Sequence, residues 1–85
     1  MLETIQEKVE VIMRFRLTPT PETDIYKLRW RGREYTIMQC TYHYKVWDGR
    51  TRVHKFAVST GSLDFRLTYD TEHLIWILEE VSDGN

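Results

Sequence analysis

Two histidines, a tryptophan and three cations fall between positions 43 and 54: His43, Lys45, Trp47, Arg50, Arg52 and His54. Cations that track phosphates and aromatic faces on which bases stack are the means by which single-stranded nucleic acid is held, each stacked base contributing roughly 1 to 3 kcal/mol. Spacing decides whether these groups converge. Asp48-Gly49 reads as a two-residue hairpin loop, because both residues tolerate positive φ. That register sets Trp47 against Arg50, Lys45 against Arg52, His43 against His54 and Thr41 against Phe56 on one face. Val46 against Thr51, Tyr44 against Val53 and Tyr42 against Lys55 fill the other. A second basic strand, with Lys27, Arg29 and Arg31 in alternation, is a candidate neighbour of the same surface.

Other chemistries are poorly served. Facing histidines on adjacent strands are within reach of one metal ion, but a zinc centre needs further ligands. Cys40 has the opposite parity to the pair and His73 falls in a turn, so no metal or cofactor is expected. Cys40 and His43 stand three apart on a strand and so on opposite faces unless a bulge intervenes, which argues against a nucleophile and base pair. Ser59, Ser62, His54 and Asp64 surround one turn without a nucleophile-elbow pattern. The four glycines belong to turns or the tail and form no phosphate-cradling loop. A non-enzymatic domain is the expectation.

The elements that must position the basic groups are strands. Val9, Val11, Met13, Phe15 and Leu17 alternate with polar or charged residues and Ile12, placing a first strand at about 7–17. Thr18 to Asp24 carries Pro19 and Pro21, which lack ladder donors, and reads as a loop. In the next strand Tyr26, Leu28 and Trp30 point one way and Lys27, Arg29 and Arg31 the other, before a turn at Arg31-Gly32. Residues 33–47 are too long for one flat strand. Tyr35 and Ile37 share one register and Met38, Cys40, Tyr42, Tyr44 and Val46 the other, so a bend is expected at Ile37 to Gln39. Ser59 to Ser62 makes another turn about Gly61, and Leu63, Phe65, Leu67 and Tyr69 alternate with polar partners. Thr71 to His73 connects to Leu74-Ile75-Trp76-Ile77-Leu78, apolar on both faces, and the tail 82–85 is expected to fray. Six strands joined by short turns predict an all-β antiparallel meander, one domain over 1–85, closing into a small SH3-like barrel.

Composition sets the outer limits. Eleven aromatics, spread from Phe15 to Trp76, supply a core to a chain of 85 residues, and each can bury about 150 to 250 Å². The net charge of −1 hides a division: residues 1–26 carry −2, 27–55 carry +6 and 56–85 carry −5. Either the basic third forms a surface patch or neighbouring acidic strands cancel it. The pI of 6.3 is well below the value above about 9 of dedicated nucleic-acid binders. One cysteine leaves no internal disulfide and fits a reducing cytoplasm. Acids near the N-terminus and the lack of any apolar run of roughly 18 residues point away from export and from membranes.

Trp30-Arg31-Gly32-Arg33-Glu34-Tyr35, a long aromatic strand, Gly61-Ser62-Leu63-Asp64-Phe65-Arg66-Leu67 with Tyr69-Asp70, and Trp76-Ile77-Leu78-Glu79-Glu80-Val81 together carry a resemblance. Over residues 25–83 the chain resembles a small bacterial domain of unknown function, found alone and at the C-terminus of proteins similar to Y-family translesion polymerases. The resemblance implies an all-β fold and, by association, a setting near DNA metabolism with a polymerase-like partner; it brings no catalytic residues. The expectation is an accessory domain that touches nucleic acid through the 43–54 hairpin face. The alternative is a protein-docking or oligomerisation module, a homodimer included, that hides the surplus apolar surface of Leu74 to Leu78.

Overall fold

Period-two alternation governs nearly every segment of the chain, and strands connected by tight turns result. The computed structural model describes residues 2–16 and 22–83. Seven strands run in chain order: β1 (Leu2–Arg16), β2 (Glu22–Trp30), β3 (Arg33–Thr36), β4 (Gln39–Asp48), β5 (Thr51–Ser59), β6 (Leu63–Asp70) and β7 (Ile75–Asp83). They form one antiparallel sheet in the order β3-β2-β1-β7-β6-β5-β4. The expected all-β antiparallel sheet is therefore present, but as two meanders, β1 to β3 and β4 to β7, joined by the β1–β7 ladder instead of one continuous meander.

The closed six-stranded barrel is not. Residues 33–47, expected as one bent strand, break at Ile37-Met38 into β3 and β4, which end up at opposite ends of the sheet. Neither Ile37 nor Met38 takes the positive φ found in the two-residue loops at Arg31-Gly32 and Gly49-Arg50, so the chain does not turn back there and no ladder joins β3 to β4 among the described residues. Two isolated bonds tie the ends instead: Ile37 N donates to the Tyr26 carbonyl at 3.0 Å and Met38 N to the Ser59 carbonyl at 2.8 Å.

Bulges let so small a sheet curl. An extra residue on one strand bends it and raises local twist. Register shifts lie in β1 between Thr4 and Glu7, where Gln6 has φ 56°, at Tyr26 of β2 across from Ile12 and Met13, in β4 between Cys40 and Tyr42, and at Glu79 of β7. The Tyr26 bulge corrects one expectation: Ile25 and Leu28 are buried and Tyr26 is exposed, whereas Leu28 and Trp30 keep the inward register. Curling brings β2 and β3 over β6. Phe65, wholly buried, receives Trp30 at 6.3 Å and Tyr35 at 5.2 Å in edge-to-face contacts. Leu28, Phe56, Val58, Leu67, Trp76, Leu78 and Val81 complete this core.

Other boundaries move for identifiable reasons. β1 begins at Leu2 rather than near residue 7, because its first half pairs with β7 and its second half with β2. β2 starts at Glu22, inside the expected loop; 17–21 lie outside the described residues. The tail does not fray at Ser82 and Asp83, since Ser82 pairs with both Leu2 and Asp64 and Asp83 with Leu63; 84–85 lie outside the described residues. Leu74 leaves the expected apolar strand and joins the turn. Asp70 organises that turn, its Oδ1 accepting from Glu72 N at 2.9 Å and His73 N at 3.2 Å.

The turn places Leu74 at φ 57° with its side chain 70% exposed. A β-carbon costs roughly 1 to 2 kcal/mol in that region, and nothing buried offsets it. Leu74→Gly is expected to raise stability by about 0.5 to 1 kcal/mol after allowance for the looser unfolded chain, read as a higher midpoint in urea unfolding.

Candidate nucleic-acid interface

The β4–β5 hairpin turns at Gly49-Arg50, not at Asp48-Gly49. Asp48 pairs with Thr51, Trp47 with Arg52, Lys45 with His54 and His43 with Phe56. Glycine at the first loop position, here with φ 62°, is the requirement of a type II′ turn, and this sequence satisfies it one residue later than the Asp-Gly reading. Each predicted pair is therefore displaced by two residues along β5. A two-residue shift leaves every side chain on its face. The composition of the basic face survives although its rungs do not.

That face continues the core surface of the sheet beyond its buried part. One rung runs Lys45, His54, Tyr69, Trp76 and Val9 across five strands. Phe56 and Trp76 form the floor, their rings 5.2 Å apart, with Tyr69 4.7 Å from Trp76. His43 lies parallel to Phe56 at 4.3 Å, and His54 meets Tyr69 edge-on at 6.4 Å. The two histidines do not face each other across the ladder, yet they meet diagonally: His43 Nε2 and His54 Nδ1 are 2.7 Å apart. One nitrogen must donate and the other accept, so both rings cannot be charged in this arrangement.

Electrostatics agree. Burial, and then the Lys45 cation, push the His43 pKa below the ordinary histidine value; burial, His43, Lys45 and Arg52 push His54 the same way. Below pH 6.5, the reference value, the unfolded chain takes up protons that the native pair resists. Stability from this pair is complete above that pH and is lost as pH falls toward the lowered native values. His73 acts in the opposite sense, because its hydrogen bond to Asp70 raises its pKa and favours the folded state on the acid side. We expect the thermal midpoint to fall between about pH 7 and pH 5.5, and His43→Gln with His54→Gln to shrink that fall in paired melts while His73→Gln enlarges it.

At the hairpin end the Trp47 ring is 67% exposed, with the Arg52 guanidinium 5.2 Å from its centroid. Lys45, Arg50 and Arg52 make no ion pair among the described residues. The turn after β6 buttresses this end: Thr71 Oγ1 donates to the Arg52 carbonyl at 2.6 Å and Thr51 Oγ1 to Glu72 at 2.6 Å. Asp48, opposite Thr51, Asp70, opposite Val53, and Glu72 stand close along the strands and turn, and none of them is ion-paired with a hairpin cation among the described residues.

Elsewhere two cations of the basic third, Lys55 and Arg31, are paired with acids. On the outer face of β5 and β6, Lys55 Nζ bonds Glu79 and the Thr68 hydroxyl, both at 2.8 Å, and Arg66 lies 3.6 Å from Glu80. Arg31 is held by Glu7, whose carboxylate also accepts from Trp30 Nε1 at 3.2 Å. That contact with Arg31, followed by the Trp30 bond, keeps the Glu7 pKa below its usual range. Arg29 stands in the ladder between Glu10 and Glu34. Arg29 and Arg31 line a groove with Lys8, Val9, Glu10 and Gly32 that contains no residue of β4 or β5. The expected grouping divides accordingly: His43, Lys45, Trp47, Arg52 and His54 come together with Arg50 in the adjoining turn, and the β2 cations form a separate feature.

Sequence reasoning put Phe56 on the histidine face but did not bring Tyr69 and Trp76 there as the rest of the floor. Tyr69 and Trp76 share the inward parity of their strands, and this was the available signal. The bulge at Thr41 does return Cys40 to the face of His43, opposite Val58, but the sulfur lies 3.6 Å from the Tyr42 carbonyl. No group of three or more His, Cys, Asp or Glu suited to a metal occurs among the described residues. Nor is any helix among the described residues long and apolar enough to cross a membrane. No protein-family model, curated protein or solved structure matches the chain.

Proposed function

We propose that the domain is a non-enzymatic accessory that binds single-stranded nucleic acid along the β4–β5 hairpin face. One observation carries this reading: an exposed tryptophan, Trp47, with the Arg52 guanidinium against its ring and Lys45 and Arg50 two and three residues away along the hairpin, none of the three cations in an ion pair among the described residues. A base stacks on Trp47, and Lys45, Arg50 and Arg52 follow the phosphates on either side. His43 and His54, neutral at physiological pH, offer ring nitrogens to base edges. The affinity of so small a patch is modest and strongly salt-dependent. A polymerase-like partner and a setting in DNA metabolism are what the resemblance implies, a reducing cytoplasm is what the single cysteine suggests, and both belong to the same reading.

Fluorescence anisotropy with single-stranded and duplex oligonucleotides at two salt concentrations tests it, with Arg50→Glu plus Arg52→Glu as the reversal. Binding to single strands that weakens with salt and is lost in the reversal supports the interface. Absence of binding at low salt, or indifference to the reversal, leaves a protein-docking or oligomerisation module as the alternative.

A further inference from the structure

The contact between His43 and His54 is aligned as well as close. Their facing nitrogens are 2.7 Å apart, the ring centroids 5.0 Å apart, and the planes differ by 16°. The centroid separation exceeds the nitrogen separation by about the two ring radii, so both nitrogens aim at each other along the line of centres. No other hydrogen bond holds either ring among the described residues, which leaves His43 Nδ1 and His54 Nε2 without one.

Proton counting on such a pair has few solutions. In the neutral pair one proton sits in the bridge and one on either of the two remaining nitrogens, so the other of these is a bare acceptor. One added proton fills that acceptor. The bridge survives, the charge becomes +1, and both remaining nitrogens are donors. A second added proton has no place except the accepting nitrogen of the bridge, so it must break the contact. The pair therefore takes one proton without rearranging. A phosphate oxygen only accepts, and the charged form meets it with two charge-assisted donors where the neutral form has one.

The surroundings oppose that proton in the free protein. Burial acts first on both rings, Lys45 adds to it at each, and Arg52 adds to it at His54. Cys40 shares the face but bonds the Tyr42 carbonyl, and Tyr69 of β6 meets His54 edge-on. No acid offsets the cations. Glu7 shares the His43 rung but stands four strands away and is held by Arg31; Asp70 turns to the other face and bonds His73; Glu72 accepts from Thr51. Phosphates drawn to Lys45 and Arg52 would neutralise the charges that keep the proton out, so strand binding and protonation favour each other.

We infer that the His43–His54 pair couples nucleic-acid binding to acidity: one proton enters the pair as a single strand is held, and affinity rises as pH falls below neutral. This rests on the reading of the hairpin face as a nucleic-acid interface and adds its regulation. The sign follows from linkage. The bound state carries more protons than the free state, so affinity climbs toward acid by up to about tenfold per pH unit for one proton.

An oligothymidylate carrying a pH-insensitive dye is the probe, because neither thymine nor the phosphodiester titrates in the range concerned. Its fluorescence anisotropy is followed from about pH 7.5 to about pH 5.5 at fixed ionic strength, with circular dichroism at each pH to confirm the fold. Affinity is expected to rise at least about fivefold across that range. The rise is expected to vanish in His43→Gln plus His54→Gln and to persist in His73→Gln, which removes the remaining histidine. Histidine ring NMR titrations of the unsubstituted chain repeat the readout without any substitution: the midpoints of His43 and His54 move up when the oligothymidylate is present, and that of His73 does not follow them. Binding that is flat across the range, a rise that survives the double substitution, or midpoints that stay in place overturn the inference and leave the interface standing. Absence of binding at low salt at every pH overturns both.

Discussion

Phe65→Ala is expected to lower stability by about 3 to 5 kcal/mol and the thermal midpoint by on the order of 20 °C. The ring is wholly buried and takes edge contacts from Trp30 and Tyr35 across the core, so its loss removes both a large apolar area and the aromatic pairs that join β2 and β3 to β6. Domains of this size hold about 5 to 10 kcal/mol in total, so the variant sits close to its unfolding midpoint at room temperature. Urea unfolding followed by tryptophan fluorescence measures the loss. Tyr42→Ala supplies the contrast: its half-exposed ring on the outer face predicts a cost below about 1 kcal/mol. Equal effects from the two substitutions would show that the rings under β2 and β3 do not organise the core.

Arg50→Glu plus Arg52→Glu is expected to weaken single-strand binding at least about thirtyfold at low salt and to flatten its salt dependence. Each phosphate contact on a single strand contributes about 0.7 to the slope of log affinity against log salt, so two lost contacts remove about 1.4. Replacement by acids adds repulsion and takes the guanidinium away from Trp47. Trp47→Ala should behave differently, reducing affinity by roughly 1 to 3 kcal/mol while leaving the slope intact, because stacking releases no counterions. Arg66→Glu on the outer face, already facing Glu80, should change neither quantity. A uniform loss across all four substitutions would indicate a general charge effect instead of a located interface.

How far these features could be read from residues alone depended on the length of chain each signal spans. Alternation in residues 63–70 fixed β6 and its inward Phe65 and Leu67, because a period of two in a segment bounded by turns has one interpretation. The parity change between Ile37 and Met38 marked the bend that separates β3 from β4. Neither signal says where the ends of a run finish in space, so the barrel was expected to close where the sheet stays open. The turn at Gly49 illustrates a different limit: Asp-Gly and Gly-Arg both make two-residue loops, and only the three-dimensional twist selects between them. Faces survived that ambiguity and pairings did not. The diagonal contact of His43 with His54 and the engagement of Arg31 by Glu7 depend on exact rungs and on a contact between residues 24 positions apart, which local pattern does not carry. Leu74 in a left-handed conformation gave no warning at all, leucine being among the residues least suited to it.

The position of β7 has a consequence for biosynthesis. It lies between β1 and β6, so the strand that stitches the N-terminal part of the sheet to the C-terminal part is the last of the seven to emerge from the ribosome. Until it emerges, β1 to β3 have a bare seam and the β4 to β6 ribbon lacks its inner neighbour. Loop closure over nearly the whole chain, from Leu2 to Ser82, must then occur in one step. Such a domain commits late, and nascent chains halted before Ile75 should be captured by chaperones and not by any ligand of the finished surface.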